Sequence, residues 1–412
     1  MTIKITNIKC LVNTREETRL LRGEELSKLP CINDAWLLIK DGIIEDYGSM
    51  TDGSISAVEN ENVVDASGQF VMPTWCDSHT HLVFPASRED EFVDKIKGLS
   101  YAEIAARGGG ILNSAKKVNE TSEGELLKQA RLRLNDVIRM GTGAIEIKSG
   151  YGLSVEGELK MLRVIKKLKE TSPIPVKATF LGAHTYPVEY RENHQGYIDL
   201  IINEMLPAIS QENLADYIDV FCETGFFSPE ETEMICRAGM DIGLKPKIHA
   251  NQLNFSGGVE TGVKLGAVSV DHLETMNENA IQKLAPSNTI GTLLPTAAFF
   301  LRMPYQPARK LIDAGCAIAL ASDYNPGSSP SGNMNFVVAL SCIQMRMLPE
   351  EAINAATVNA SFAVELQDEL GSITRGKKAN LIFTKPIPSL AFLPYAFGSD
   401  NIDKVMINGE WF

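Results

Sequence analysis

At 412 residues, 44% of them apolar and 22% charged, the chain is long enough to bury a substantial core, and its composition is that of a soluble globular protein. The formal net charge of −13 argues against nucleic acid or an anionic membrane as partner, since both require clustered Lys and Arg; it says little about a small substrate, whose capture depends on local charge. Seven scattered cysteines with no CxxC pair argue for free thiols in a reducing cytoplasm rather than a disulfide framework.

Residues 1–23 carry charge throughout and have no apolar h-region, so no secretory signal is expected. From residue 1 to about 70, short β-branched runs such as KITNIKCLV, AWLLIKDGIIEDYG and NVVDASGQFVM, separated by Gly, Asn and Asp, predict the strands and turns of a small β unit. From about 71 to 365 the texture changes, and β-type runs alternate with longer stretches of helical period. The candidate strands are TWCDSHTHLVF, GAIEIKSG (143–150), VKATFLGAH (176–184), YIDVFCETG (217–225), KPKIHAN (245–251), AVSVDHL (267–273), TIGTLLP (289–295) and AIALASDYNPG (317–327). Between them, segments such as SEGELLKQARLRLNDVIRM and VEGELKMLRVIKKLKET place apolar residues at helical spacing with charge opposite. Eight β runs alternating with helices predict an α/β fold, a (β/α)8 barrel.

From 366 to 412 the β texture returns, in GSITRGKKANLIFTK and DKVMINGEWF. The two ends of the chain are therefore expected to build a smaller composite β-sandwich domain beside the barrel. The longest apolar run, TLLPTAAFFL at 292–301, is too short for a membrane span and contains Pro295. The glycine run RGGGI from residue 107 lacks the GK[ST] ending of a phosphate loop and follows no strand, so it reads as a flexible loop. No repeat of fixed period is present.

The stretch DSHTHLVF (77–84) sets His79 and His81 two apart. In a strand, positions i and i+2 face the same way, so both imidazoles aim at one spot. That spacing alone fits a pair of satisfied polar residues as well as a metal site. In a barrel, however, the active site lies at the C-terminal strand ends. Strand one ends in His79 and His81, strand five in His249, strand six in His272 and strand eight in Asp323. Four of six histidines and an aspartate at matching places predict a mononuclear site for a divalent ion, zinc by default, with iron or manganese as other choices. Such an ion lowers the pKa of bound water to about 7 and polarises carbonyls, so hydrolysis is its natural use. Strand four ends without a lysine, which argues against two metals bridged by a carbamylated lysine; Lys148, ending strand two, is expected to serve structure or binding. Cys76 is out of register with the histidine pair and reads as a buried structural thiol.

With DxHTH on strand one, the chain resembles the amidohydrolase superfamily and, within it, the hydrolases of histidine degradation that open an imidazolone ring. The likeness covers nearly the whole chain, through DSHTHLVF followed by SRE, SYAEIAARGGGI, IEIKSGYGL, TFLGAHTYPVEY, KIHANQL with GG after it, VSVDHLE and ASDYNPGSSP. It implies His79, His81, His249 and Asp323 as ligands of one zinc or iron ion per subunit, with catalytic roles for His272, Asp323 and Gln252. It also implies substrate contacts from Arg88, Tyr151, His184, Gln252, Asn325, Gly327 and Ser328, a small anionic heterocycle as substrate, and a homodimer. Arg88 offers a carboxylate tail a bidentate fork, Tyr151 and His184 offer hydrogen bonds, and the turn NPGSSP (325–330) is expected to leave backbone amides free for a ligand.

The chain departs from this pattern in three places. PTWCDSHTH lacks the glycine that many relatives carry soon after the proline, and Asn380 stands where aspartate is common. Gln252 replaces a glutamate considered as a base in some members; an amide accepts no proton at neutral pH. Gln252 is thus expected to orient water or substrate, leaving proton transfer to His272 and Asp323. Two other readings stay open: a different amidohydrolase, such as a deaminase of a nitrogen heterocycle, and a non-catalytic barrel kept as an oligomeric scaffold.

Overall fold

A computed structural model describes residues 1–52, 62–99, 103 and 109–412. Arg107 and Gly108 of the RGGGI run lie outside the described residues. Strands β1 (Thr2–Val12), β2 (Cys31–Lys40), β3 (Ile43–Ser49), β4 (Asn62–Asp65) and β5 (Phe70–Pro73) come first. Next follow β6 (Trp75–Asp77), β7 (Thr142–Lys148), β8 (Val176–Ala183), β9 (Tyr217–Cys222), β10 (Lys245–Ala250), β11 (Ser269–His272), β12 (Ile290–Leu293) and β13 (Ile318–Leu320). The last are β14 (Leu381–Thr384), β15 (Ile402–Ile407) and β16 (Glu410–Trp411).

Strands β6 to β13 pair in chain order, each parallel to the next. The ring closes beyond the ends of its first and last members. There the His81 N–H donates to Tyr324 O at 2.9 Å and the Asp323 N–H to His79 O at 3.0 Å. The result is a (β/α)8 barrel. Helices wrap it because their apolar residues recur every three or four positions: in Glu123–Arg139, Leu126, Ala130, Leu134, Val137 and Ile138 are buried. The serine before each of the two long helices caps it. Ser122 Oγ accepts the Glu125 N–H at 3.3 Å and Ser154 Oγ the Gly157 N–H at 3.1 Å.

The remaining strands form one sheet, β16-β15-β14-β5-β1-β2-β3, with β4 on β1. Side-chain alternation divides these strands between two cores. Phe70 and Met72 of β5 join the main core of the barrel and its helices, whereas Val71 joins the sheet's own cluster. Likewise Val405 and Ile407 of β15 face the barrel, and Met406 faces the other way. The expected sandwich is therefore built from a single sheet that folds over on itself. Its two rims meet where the Ala379 N–H donates to Gly42 O at 2.8 Å and the Gly409 N–H to Ala379 O at 3.1 Å. Gly42 has φ +81°, and a side chain there would run into the Asn408 carbonyl. Among the described residues, no helix is long and apolar enough to cross a membrane.

Candidate metal centre and active site

Strand β6 stops at Asp77, so His79 and His81 stand on an extended segment past the ladder rather than within it. The alternation persists there: the Thr80 hydroxyl points the other way and donates to Glu146 O at 2.7 Å. His249 lies in β10 and His272 ends β11. His272 (φ 89°), Leu273 (φ 65°) and Asp323 (φ 52°) adopt left-handed backbone, which is costly without glycine and collects at functional sites.

These elements converge. The ligand atoms of His79, His81 and His249 lie within 4.8 Å of one another, as do those of His79, His272 and Asp323. Asp323 Oδ1 is 3.5 Å from His79 Nε2 and 3.6 Å from His81 Nε2. The outward nitrogens are tied down, with His79 Nδ1 at 2.7 Å from Asp271 Oδ2 and His249 Nδ1 at 3.0 Å from Asp219 Oδ2. A carboxylate only accepts, so each Nδ1 carries the proton and each Nε2 presents a lone pair. The Nε2 atoms of His79 and His249 are buried and have no hydrogen-bond partner among the described residues. Buried lone pairs left open in this way, beside a carboxylate oxygen, fit a divalent cation.

Electrostatics keep these donors neutral. Burial, then the Lys148 ammonium, hold His79 far below the usual imidazole range, and burial with His184 does so for His81. Burial also lowers His249, against the opposing pull of Asp219. His272 goes the other way: burial opposes its charge, but Glu274, 3.4 Å from Nδ1, and Asp323 outweigh it and raise the pKa. Burial pushes Asp323 up to about 6, opposed by His272.

Beside this cluster opens a cavity of about 750 Å³ lined by Arg88, Tyr151, His184, Gln252, Asn325, Gly327 and Ser328 together. His184 and Tyr151 join it to the histidines, their ring centroids 5.3 and 5.6 Å from that of His81. His184 Nδ1 sits 3.0 Å from Gly150 O, which only accepts, so Nε2 is left as an acceptor. Burial lowers the His184 pKa to about 3 and raises that of the Tyr151 hydroxyl, so one stays neutral and the other protonated. Among the described residues, the charged members of the lining are Arg88, Lys95 and Arg302, with no carboxylate.

Two expectations about this wall change. The Gly327 and Ser328 amides are not free: both donate to Asn325 Oδ1 at 2.8 Å, because an Asn side chain closes such a turn on itself. Asn325 Nδ2 also bonds Asp323 O and Ser328 Oγ, both at 2.7 Å, so Asn325 shapes the loop. Nor is the Arg88 fork fully open. Its Nε and Nη2 donate to Glu91 Oε2 at 2.9 and 2.6 Å, leaving Nη1, which lies against Gly327, for a ligand.

Lys148 does not reach the cavity; fully buried, it bonds Glu146 and Asp219. Cys76 is a buried thiol raised by burial to about 12. Asn380 is structural as well, its Oδ1 accepting the Asn408 N–H at 2.7 Å. Sequence reasoning missed Asp219, Asp271, Glu274 and Lys95. The first two had a readable signal, a lone carboxylate inside the apolar strands YIDVFC and VSVDH.

The amidohydrolase family model matches residues 223–412. An imidazolonepropionase of Flavobacterium johnsoniae is 58% identical over 98% of each chain, and one of Christiangramia forsetii is 54% identical over the full length of both. Among solved structures, a triazine hydrolase variant (TM-score 0.74, 16% identity, covering 100% of this chain and 94% of that one) and an E. coli guanine deaminase (0.73, 14%, 100% and 99%) share the fold. By this similarity, and with a histidine cluster of the kind such metal-dependent hydrolases use, the chain belongs to the imidazolonepropionase family of amidohydrolases.

Proposed function

We propose that this site hydrolyses the cyclic amide C–N bond of 4-imidazolone-5-propanoate, giving N-formimino-L-glutamate in histidine degradation. One observation carries the reading: a buried cluster of inward imidazole lone pairs beside a cavity whose charged lining, among the described residues, is cationic. The substrate is a small polar ring with an anionic tail, and such a wall suits it.

His79, His81, His249 and Asp323 would hold one divalent ion, zinc or iron. When bound, a cation of this kind lowers the pKa of a coordinated water and polarises a carbonyl. The chain's own groups do the rest. Arg88 binds the propionate through the nitrogen that Glu91 leaves open. Tyr151 donates to the ring, His184 Nε2 accepts from a ring N–H, and Gln252 orients water or substrate without taking a proton. Asp323, whose Oδ1 lies 3.5 and 3.6 Å from His79 Nε2 and His81 Nε2, stands beside the point where the water would be held and accepts its proton. The water oxygen bonds to the ring carbonyl carbon, the C–N bond breaks, and the proton reaches the departing nitrogen from Asp323 or His272. His272, oriented by Glu274 at 3.4 Å from its Nδ1, also stabilises the developing oxyanion. The free thiols suit a reducing cytoplasm, and the family resemblance implies a homodimer.

The test follows the loss of 4-imidazolone-5-propanoate by its ultraviolet absorbance, with and without chelator, alongside a metal count. Turnover that the chelator abolishes and Zn2+ or Fe2+ restores is expected. A metal-loaded protein that leaves this substrate untouched while hydrolysing another cyclic amide or deaminating a heterocycle would overturn the substrate, and one that binds no metal would overturn the mechanism.

A further inference from the structure

Beneath the histidines lies a group of charges that the proposed reaction does not use. The Lys148 ammonium, fully buried at the end of β7, is 2.8 Å from Glu146 Oε1, 2.8 Å from Asp219 Oδ2 and 3.7 Å from Asp271 Oδ2. Asp219 is the carboxylate on His249 Nδ1 and Asp271 the one on His79 Nδ1. Glu146 Oε2 accepts the backbone N–H of Thr80 at 3.4 Å, and the Lys148 N–H donates to Thr80 O at 2.8 Å. Thr80 separates His79 from His81. One lysine therefore reaches, through a single intervening residue in each case, the segments that carry three imidazoles.

Such an arrangement is costly. Removing an ion from water costs several kcal/mol even after relaxation, and apolar residues usually fill a barrel interior. A second buried cation, Lys247, lies 4.0 Å from Asp271 but bonds mainly to the Ser78 and Ala363 carbonyls, at 3.3 and 3.2 Å. Stability alone is a weak reason to keep such a cluster. Orientation is a better one: without the ammonium between them, Asp219, Asp271 and Glu146 would repel one another, and the imidazoles they steer would lose their common aim.

We propose that Lys148 is a positioning residue for metal binding: by holding Asp219 and Asp271 in place together, it aims the Nε2 atoms of His249 and His79 at one point and so sets the affinity of the site. The inference rests on the reading of His79 and His249 as ligands. The experiment strips the full-length protein of metal and titrates Zn2+ against a chromophoric chelator, then records the visible spectrum with Co2+. It compares wild type, Lys148→Met, Lys148→Gln, Asp271→Asn and the Lys148→Gln/Asp271→Asn double variant. Lys148→Gln keeps an N–H donor for the carboxylates and guards against a failure to fold, which thermal unfolding of the metal-free proteins monitors.

The expected result is a Zn2+ Kd raised about 10- to 100-fold in each folded single variant. The Co2+ bands should shift, and the double variant should be little worse than the Lys148→Gln single, since Asp271 acts through His79, one of the two imidazoles that Lys148 positions. A folded Lys148 variant with wild-type Zn2+ affinity and an unchanged Co2+ spectrum overturns the proposal, as do fully additive effects. His249→Ala separates the two levels. If that variant still binds Zn2+ as wild type does, the ligand reading fails, whereas loss of Zn2+ there with normal binding in the lysine variants removes only the role of Lys148.

Discussion

Gly327 is small for a reason outside its own backbone. The Arg88 guanidinium lies across it, and a single added carbon would meet that group. Gly327→Ala should therefore displace Arg88 and weaken substrate binding without unfolding the protein. Steady-state kinetics are expected to show a raised KM with a Tm within a few degrees of wild type. Arg88→Met removes the charge-assisted bond itself, worth about 1.5–3 kcal/mol, so kcat/KM should fall about 10- to 100-fold. An unchanged KM in both variants would take Arg88 out of the substrate site. His249→Ala differs in kind: it deletes a lone pair that has no other partner, so metal content and turnover should fall together. The histidines were legible in the sequence because they stand at or just past the C-terminal ends of barrel strands, His79 and His81 together after the first. The partners Asp219 and Asp271 were harder to assign, because each lies 30 or more residues from the imidazole that it steers. The direction of the Asn325 side chain, which consumes two loop amides, leaves no trace in residue order.

Elements show which local signals carry structure. All eight barrel strands were readable, since each is a short buried run bounded by turn residues, and the helices between them announce themselves by period and cap. Ser154→Ala, which removes the acceptor for the Gly157 N–H, should cost about 1 kcal/mol and leave kinetics intact, as measured by denaturant unfolding. The loop after β13 should behave in the opposite way. Asn325→Ala frees the Gly327 and Ser328 amides and removes two bonds beside Asp323, so turnover should drop more than stability. Equal losses in both would mean that the loop serves packing alone. What the sequence left open was how the small sheet is put together. Alternation in Phe70, Val71 and Met72 tells that both faces are covered, but not by what; only the paired strands reveal that one face meets the barrel.

At the scale of the whole molecule, the two ends of the chain are tied through Lys377. Its ammonium donates to Thr18 Oγ1 at 2.7 Å, Leu370 O at 2.9 Å and Ser372 Oγ at 2.9 Å. Burial pulls its pKa down to about 8, against Cys76 and Asp368, whereas an unfolded lysine titrates near about 10.4. Between those values the unfolded chain binds more protons, so this group makes the fold more stable as pH rises through that window, and its penalty is fully present below it. Lys377→Met should remove that slope. Urea unfolding from pH 8 to 10 is expected to show wild type gaining stability relative to the variant, and parallel curves would refute the assignment.

The seam of the barrel has one further consequence. Its first and last strands are joined by amides and carbonyls of His79, His81, Asp323 and Tyr324, so the proposed metal donors are also part of the clasp. Opening the ring and scattering the donors would then be one event. Loading with metal should slow deuterium uptake at these backbone amides more than elsewhere in the ring, because the bound ion would act as the rivet that keeps the cylinder shut.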